Sequence, residues 1–368
     1  MKRLRSICNC LFLVGIMVTV SGCWDVSPIE DRAIGLMVGL DKVGTRYRIG
    51  IQIPTLDNLA QTNSPNHTKG TTIFQTFWAE GSSLLSMVQR IEDENYRSFV
   101  GGSVKVIVVS KTIGADGIAR LLGSFLRHPM VSPQTLILLT DQKVADILNH
   151  QPVLKLQPAL TIVKQMASPL KRSRTYPMEL WEFIARMDNQ SPDPYLPIIR
   201  LDPQNKNYIL EGLALFKGQK LVGKLDSEES YIFGAVTSGA ERGLVNIQVG
   251  REKVGFSMLS HRAKVKVITA NHRKLLEVQL NVKGILLDIP PDFPDQQIVL
   301  EKIKKAAEKQ YRIQVKNLIH KLQQLDTDPV GFGRKLELAG DRCWRDAYRT
   351  VPVKVVARVN IRYSPPFR

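Results

Sequence analysis

The pattern of apolar and polar residues in the first half of the chain predicts strands that alternate with helices. An apolar run at 33–40 and an alternating run at 46–53, joined by a turn at Gly44, predict a hairpin that begins the fold. Further strands are expected at 71–78, 104–109 and 134–140, and helical spacing occurs at 84–91, 118–125, 144–148 and 177–187. We expect Asp141 to cap the third helix. This order predicts a mixed sheet covered by helices.

The second half of the chain has more strand patterns than helical ones. A hairpin is expected over residues 208–222, with its turn at Gly218, and residues 242–283 alternate in the manner of strands. Asp226 and Glu229 have the spacing of a capping box, in which the two side chains satisfy free amides at a helix start. We therefore expect a helix to begin directly after this hairpin.

The chain ends with a long helix and a strand that each have a basic face. The helix is expected from about residue 294 to 325, and its basic side fits a helix packed on a sheet better than one lying on a membrane. In the closing strand, 351–363, apolar residues share one face, whereas Lys354, Arg358 and Arg362 share the other. We expect one face to be buried and the other to meet water or a partner.

The first 25 residues have the features of an export signal. Basic residues precede an apolar run at 11–20, which is too short to span a bilayer. The sequence VSGCWD at 20–25 then resembles a bacterial lipobox, in which Cys23 takes a diacylglyceryl group and residues 1–22 are removed as a lipoprotein signal peptide. An ordinary secretory signal with a lone cysteine is the alternative. Lipidation at Cys23 predicts stable attachment to a membrane.

Composition narrows the classes of partner. The chain has 51 Lys and Arg against 34 Asp and Glu, a net charge of +17, and most of this excess survives removal of the signal. Such a protein, anchored at its N-terminus, lies beside anionic headgroups. Nucleic acid is not expected as a partner, because the basic residues are dispersed and no nucleic-acid motif occurs. Cys343 is left as a single thiol, so no internal disulfide is predicted, and we expect it to be buried and inert.

The chain contains no pattern that specifies a reaction. The segment GQKLVGKL, which starts at Gly218, lacks the Ser or Thr that holds magnesium in a phosphate loop, and it lies in a predicted hairpin. The six histidines lack the spacing of metal ligands, and no GxSxG nucleophile motif occurs. We therefore predict that the protein is not an enzyme and has no catalytic residue, metal site or cofactor.

Several motifs, in their order along the chain, resemble the Ger(x)C family, the C subunits of spore germinant receptors. The motifs are GCWD at 22–25, GLMVGLD at 35–41, VKVIVVS at 104–110, the block from Tyr195 through PIIR, GLALFKGQKLVGKLD at 212–226, DPVGFGRKL at 328–336 and the aromatic stretch at 344–348. The resemblance covers nearly all of the chain. It departs at 98–106, where family members often have a histidine before the strand, and in a short tail.

The resemblance implies an α+β fold of three mixed α/β domains, each with a largely antiparallel or mixed sheet covered by helices. The prolines at 192, 194 and 197 predict a boundary near residue 200, and a weaker one is expected near residue 270. The expected division is an N-terminal α/β domain at 23–200, a strand-rich middle domain at 201–270 and a C-terminal domain at 271–368, which contains the long helix and the final strand.

The resemblance also implies a function. It describes a noncatalytic lipoprotein on the outer face of the inner spore membrane, which works with a multi-spanning A subunit and a transporter-like B subunit in nutrient-triggered germination. The leading alternative is a solute-binding lipoprotein of a transporter, which needs two similar α/β lobes around a polar cleft. A lipid-anchored cell-wall hydrolase is the remaining alternative.

Overall fold

The computed structural model describes most of the chain from residue 32 to 362. The described ranges are 32–55, 73–95, 97–100, 102–129, 131–152, 157–168, 175–189, 191–237, 243–270, 273–288, 296–341 and 343–362. The predicted signal peptide, Cys23 and the polar segment at 58–70 lie outside the described residues.

An eight-stranded mixed sheet forms the larger part of the fold. Its strands, in the order in which they lie in the sheet, are β10 (Lys220–Leu225), β9 (Tyr208–Lys217), β8 (Tyr195–Leu201), β7 (Val131–Thr140), β6 (Val104–Ser110), β2 (Met37–Val43), β3 (Arg46–Pro54) and β4 (Phe74–Gly81). The four central strands run parallel and the two pairs at the edges run antiparallel. A separate two-stranded sheet pairs β1 (Arg32–Ala33) with β5 (Ser98–Phe99).

Helices cover both faces of the eight-stranded sheet. They are α1 (Leu84–Asn95), α2 (Lys111–Asp116), α3 (Ala119–Leu126), α4 (Val144–Asn149), α5 (Pro158–Ala167) and α6 (Leu180–Asp188). In β6, Val106 and Val108 pack in one core with α4 and α5, whereas Ile107 and Val109 face the other core, with α1 and α3. Burial on both faces explains the β-branched run of β6, because such a strand has no solvent-facing side.

A second layered unit follows. A four-stranded sheet, in the order β11 (Gly243–Val249), β12 (Glu252–Ala270), β13 (Arg273–Asp288) and β14 (Val353–Arg362), is covered on one face by α7 (Ser227–Thr237) and α8 (Gln296–Gln324). The helices α9 (Phe332–Leu338) and α10 (Trp344–Thr350) lie between α8 and β14 in the chain. One apolar core runs from the first sheet into this unit, and Tyr231 of α7 and Tyr311 of α8 join their hydroxyls at 2.9 Å inside it.

The predicted mixed α/β class and most predicted elements are confirmed. The capping box is present: Glu229 N donates to Oδ1 of Asp226 at 2.8 Å, and Asp226 N donates to Oε2 of Glu229 at 2.9 Å. The predicted cap at Asp141 is wrong, because Lys143 precedes α4 and Asp141 pairs with Arg200 of β8 instead. The first strand of the hairpin begins at Met37, later than predicted, because β1 pairs with β5.

The predicted domain division remains a prediction. Residue 200 lies within β8, which pairs with β9 on one side and touches β7 through the pair Leu139 and Ile198 on the other. Residue 270 ends β12, and β12 pairs with β13 in a long antiparallel register. The helix α7 connects the two sheets, because it contacts β9 and β10 of the first and β12 and β13 of the second within one continuous core.

Candidate functional site

The predicted lipid attachment residue, Cys23, lies outside the described residues, so its role remains a prediction. Among the described helices, none has both the length and the apolar character needed to cross a membrane. Several motifs of the sequence meet in one region of the described residues, around the loop between α8 and α9.

Asp328, at the start of the DPVGFGRKL motif, organises the loop between α8 and α9. Its side chain is fully buried, and its Oδ1 accepts hydrogen bonds from the backbone N–H groups of Gly331 at 3.0 Å and Phe332 at 2.9 Å. Its Oδ2 accepts from Gly333 N–H at 2.6 Å and from the Ser191 hydroxyl at 2.9 Å. The carboxylate thus satisfies amides that have no partner inside the start of α9.

Asp193 connects this loop to the segment that leads into β8. It is almost fully buried, and its Oδ2 accepts from the backbone N–H of Asp328 at 2.7 Å. Arg345 of α10 donates to both carboxylate oxygens of Asp193, at 3.2 and 3.3 Å. A buried carboxylate held by a guanidinium and an amide fixes the relative position of three chain segments.

Asp326 and Thr327 extend the same cluster to the β9–β10 hairpin. Asp326 pairs with Lys217, at the end of β9, and with Arg349 of α10. The hydroxyl of Thr327 donates to the carbonyl of Phe216 at 2.6 Å, and the hydroxyl of Tyr348 donates to the carbonyl of Thr327 at 3.1 Å. The hairpin is therefore tied to α10 through the loop that follows α8.

Aromatic packing completes this region. The rings of Phe332 and Tyr348 stack with centroids 6.2 Å apart, and Trp344 packs edge-on to Tyr348. Gly333 lies under the Trp344 ring, and a Cβ atom there would come within 2.2 Å of that ring. Gly333, the second glycine of the GFG sequence, is thus required because the Trp344 ring leaves no room for a side chain. We call Ser191, Asp193, 326–333 and 344–349 together the junction.

Two carboxylates of the junction have pKa values shifted in opposite directions. Burial raises the pKa of Asp328 to about 6, although its hydrogen bonds to Gly333 and Phe332 N–H oppose the shift. The hydrogen bond from Arg349, assisted by Lys217, lowers the pKa of Asp326 to about 2. Burial dominates at Asp328, whereas the cationic partners dominate at Asp326.

The junction joins motifs that lie far apart in the sequence. DPVGFGRKL and the aromatic stretch of α10 lie within it, and the β9–β10 hairpin contacts it through the Phe216 carbonyl and the Lys217 side chain. Ser191 and Asp193 come from the segment just before the block that starts at Tyr195.

Asp193 and Asp326 were not singled out from the sequence. The available signal was an acidic residue beside each motif. No local pattern predicts that Asp193 contacts Asp328, because the two are 135 residues apart in the sequence.

The contacts of the junction are typical of structural support. The carboxylates of Asp193, Asp326 and Asp328 are each engaged by amides, a hydroxyl or cations. In the described part of the chain, no group of three or more His, Cys, Asp or Glu is arranged to hold a metal ion. The GQKLVGKL segment forms the predicted hairpin, with Gly218 in its turn.

The expectation of a buried Cys343 is wrong, because this residue is exposed. It directly precedes α10, and the side chain that enters the core at this point is its neighbour Trp344, which is 3 % exposed. The buried position expected for the Cys343 thiol is therefore occupied by the Trp344 indole.

Two family models match the chain in succession. The model "Spore germination protein N-terminal domain" matches residues 25–201, and "Spore germination B3/GerAC like, C-terminal" matches residues 211–364. The second match contains most of β9, all of β10 and most of the junction. The fold and these matches define a spore germination protein. The chain belongs to the GerAC-like, or Ger(x)C, family.

Curated relatives and one solved structure agree with this assignment. YfkR of Bacillus subtilis (strain 168) is 24% identical over 97% of this chain and 96% of its own length. Spore germination protein GerQC of Bacillus cereus is 23% identical over 78% of this chain and 81% of its own. The crystal structure of the GerBC protein matches with a TM-score of 0.58 at 17% identity, covering 88% of this chain and 96% of that one, and shows that the fold is shared.

Proposed function

We propose that this chain is the lipid-anchored, noncatalytic C subunit of a spore germinant receptor. In this proposal, a diacylglyceryl group on Cys23 holds the protein on the outer face of the inner spore membrane. There the protein is needed for assembly with the A and B membrane subunits and for nutrient-triggered germination. The observation that carries the proposal is the pair of family matches, which together run from residue 25 to 364.

The position of the first match supports the proposed anchor. It begins at Asp25, two residues after Cys23, so the family-like part of the chain starts where a lipoprotein signal would end. Attachment at that point keeps the protein close to membrane-bound partners, because tethering makes their encounter effectively intramolecular. Modest contact affinity is then sufficient for assembly.

The junction supports a role in binding partners rather than in catalysis. Its hydrogen bonds, ion pairs and aromatic contacts join the segment before β8 and the β9–β10 hairpin to α9 and α10, which favours a fixed arrangement of the two units. A subunit that must contact two different membrane proteins benefits from such rigidity, since less ordering is needed on binding.

The proposal is tested by germination of spores that lack this gene, on a panel of amino acids, sugars and nucleosides, followed by loss of optical density. We expect loss of the response to one nutrient class, with restoration by the wild-type gene. Cys23→Ala should restore it weakly and release the protein from the membrane fraction, whereas the control Cys343→Ala should behave as wild type. A fully active Cys23→Ala protein that remains in the membrane fraction would contradict the proposed anchor.

Assembly requires a separate measurement. In membranes from the deletion strain, we expect reduced amounts of the A and B subunits, detected with epitope tags on each. Unchanged amounts of both would contradict an assembly role. The alternative of a solute-binding lipoprotein requires two similar lobes, whereas the described sheets have eight and four strands in unrelated orders. Saturable binding of a nutrient by the purified protein alone would favour that alternative.

A further inference from the structure

The outer face of the four-stranded sheet is a basic surface. The face opposite α8 is formed by alternate residues of β12, β13 and β14, and the strand register sets them in rows. One row contains Arg262, Asn281 and Arg358, and another contains Lys266, Glu277 and Lys354. The exposed basic side chains on the described part of this face include these seven: Arg262, Lys264, Lys266, Lys283, Lys354, Arg358 and Arg362. We call it the basic sheet face.

Negative charge on this face is scarce. Glu277 is the one carboxylate among the described residues in the rows from Arg262 to Lys266. It pairs with Lys354 at 2.9 Å, and the nearby Lys354 and Lys266 lower its pKa. The face therefore has a large surplus of positive charge. Repulsion among neighbouring cations makes such a surface unfavourable unless an anionic partner or salt screens it.

We propose that the basic sheet face docks on an anionic lipid leaflet. This inference rests on the proposed location at a membrane and adds a second, noncovalent contact to the proposed anchor. Basic residues near an anionic leaflet each strengthen attachment about fivefold, so a surface of seven is sufficient to orient a tethered protein. Docking through this face would set the orientation of the whole chain relative to the membrane.

The composition of the face favours lipid over a protein partner. Stable protein interfaces have an apolar or aromatic core with charge at the rim. Here the centre is occupied by Gln279, Asn281 and charged groups, and Val356 is half-buried between them. Apolar side chains on this face, such as Ile285 and the exposed Leu287, lie among basic residues that are spread over three strands. Headgroups supply charge distributed in the same way.

The chain provides a built-in comparison surface. The solvent side of α8 has exposed basic residues at Lys302, Lys305, Lys309, Arg312 and Lys316. Since α8 covers the inner face of the sheet, this helix surface and the basic sheet face point in opposite directions. One planar leaflet therefore cannot contact both. The helix surface also includes the exposed Glu301 and Ile313.

The test is lysine footprinting of the full-length, membrane-attached protein. The protein is reconstituted on vesicles of phosphatidylglycerol mixed with phosphatidylcholine, or of phosphatidylcholine alone, and treated with a water-soluble acylating reagent before mass spectrometry. On anionic vesicles we expect acylation of Lys264, Lys266 and Lys283 to slow about tenfold, with loss of this protection at high salt. The helix lysines Lys305 and Lys309 should change less than about twofold.

A matched pair of variants completes the test. Arg262→Gln, Arg358→Gln and Arg362→Gln together remove three positive charges from the face but leave its lysines as reporters, and docking should weaken about 100-fold. Lys305→Gln, Lys309→Gln and Arg312→Gln remove the same charge from α8 and should leave protection intact. Thermal unfolding of each variant confirms that it is folded.

Three results would overturn the inference. They are protection of the helix lysines instead, equal protection on both kinds of vesicle, and protection that requires the A and B subunits rather than anionic lipid. None of these would affect the germination and assembly tests, which depend on the intact gene and not on this face. Failure of the docking inference is therefore distinguishable from failure of the proposed function.

Discussion

Asp193 and Asp328 are joined by two hydrogen bonds, and each residue donates one of them from its backbone N–H. Asp328 N–H donates to the carboxylate of Asp193 at 2.7 Å, and Asp193 N–H donates to the carbonyl oxygen of Asp328 at 2.9 Å. In the sequence, Asp193 precedes the β9–β10 hairpin and Asp328 follows it. Arg345 of α10 donates a further hydrogen bond to the Asp193 carboxylate. This reciprocal contact joins the first sheet to the helices of the second unit.

Replacing Asp193 should therefore destabilise the whole chain. Asp193→Ala leaves the guanidinium of Arg345 and the buried N–H of Asp328 without the carboxylate. We expect a loss of about 3 kcal/mol in the free energy of unfolding, since breaking a buried pair leaves uncompensated polar groups. Urea unfolding monitored by circular dichroism measures it.

Asp346→Ala is the matched control, because Asp346 also lies in α10 but its side chain is 82% exposed. Its effect should remain within about 0.5 kcal/mol. Equal effects of the two substitutions would show that Asp193 does not hold the junction.

Gly333→Ala should destabilise the protein, although alanine is the better helix former. The added Cβ would lie 2.2 Å from the Trp344 ring, which is itself buried. We expect a net loss of about 2 kcal/mol from overpacking. Gly123→Ala in α3 is the control, because the nearest atom to its Cβ is the tip of Arg127 at 3.9 Å, and it should stabilise by about 0.5 kcal/mol. The two melting temperatures should move in opposite directions, and a shared direction would contradict the close-packing explanation.

Asp326 should make stability depend on acid pH. Its folded-state pKa of about 2 is below its ordinary value of 3.8, so its ion pairs stabilise the protein above pH 4, and this contribution is lost as the pH falls towards 2. At neutral pH we expect Asp326→Asn to cost about 1 kcal/mol, discounted because Lys217 and Arg349 are partly exposed. The difference between wild type and variant should vanish near pH 2. A difference that is constant from pH 7 to 2 would exclude this cause.

The capping box at the start of α7 should contribute measurably to stability. Asp226→Ala removes the acceptor for Glu229 N–H, and we expect a loss of about 1 kcal/mol. Glu229 also pairs with Lys321 of α8 at 2.6 Å, so Glu229→Ala should cost more than Asp226→Ala. Chemical denaturation measures the free energy of unfolding of both variants. A smaller loss for Glu229→Ala than for Asp226→Ala would show that the contact with α8 contributes nothing.

The sequence predicted elements well wherever burial follows a local period. The long helix was expected at 294–325 and extends over Gln296–Gln324, because its apolar residues recur on the face that packs against the sheet. The closing strand and the β9–β10 hairpin were predicted for the same reason. Asp141 was misassigned because the same carboxylate can cap a helix or form an ion pair. The outcome depends on Arg200 of β8, which the local sequence around Asp141 does not reveal.

What the sequence determined by itself was the mixed α/β class, the capping box, the one-sided closing strand and the family resemblance. These depend on residues within a few turns or on the order of motifs. Tertiary structure alone decided that Asp193 meets Asp328, and that Arg262 and Lys283 share a face with Arg358. Strand order and register bring such residues together, and a single chain contains no local signal for either, because pairing energy is shared among many distant contacts.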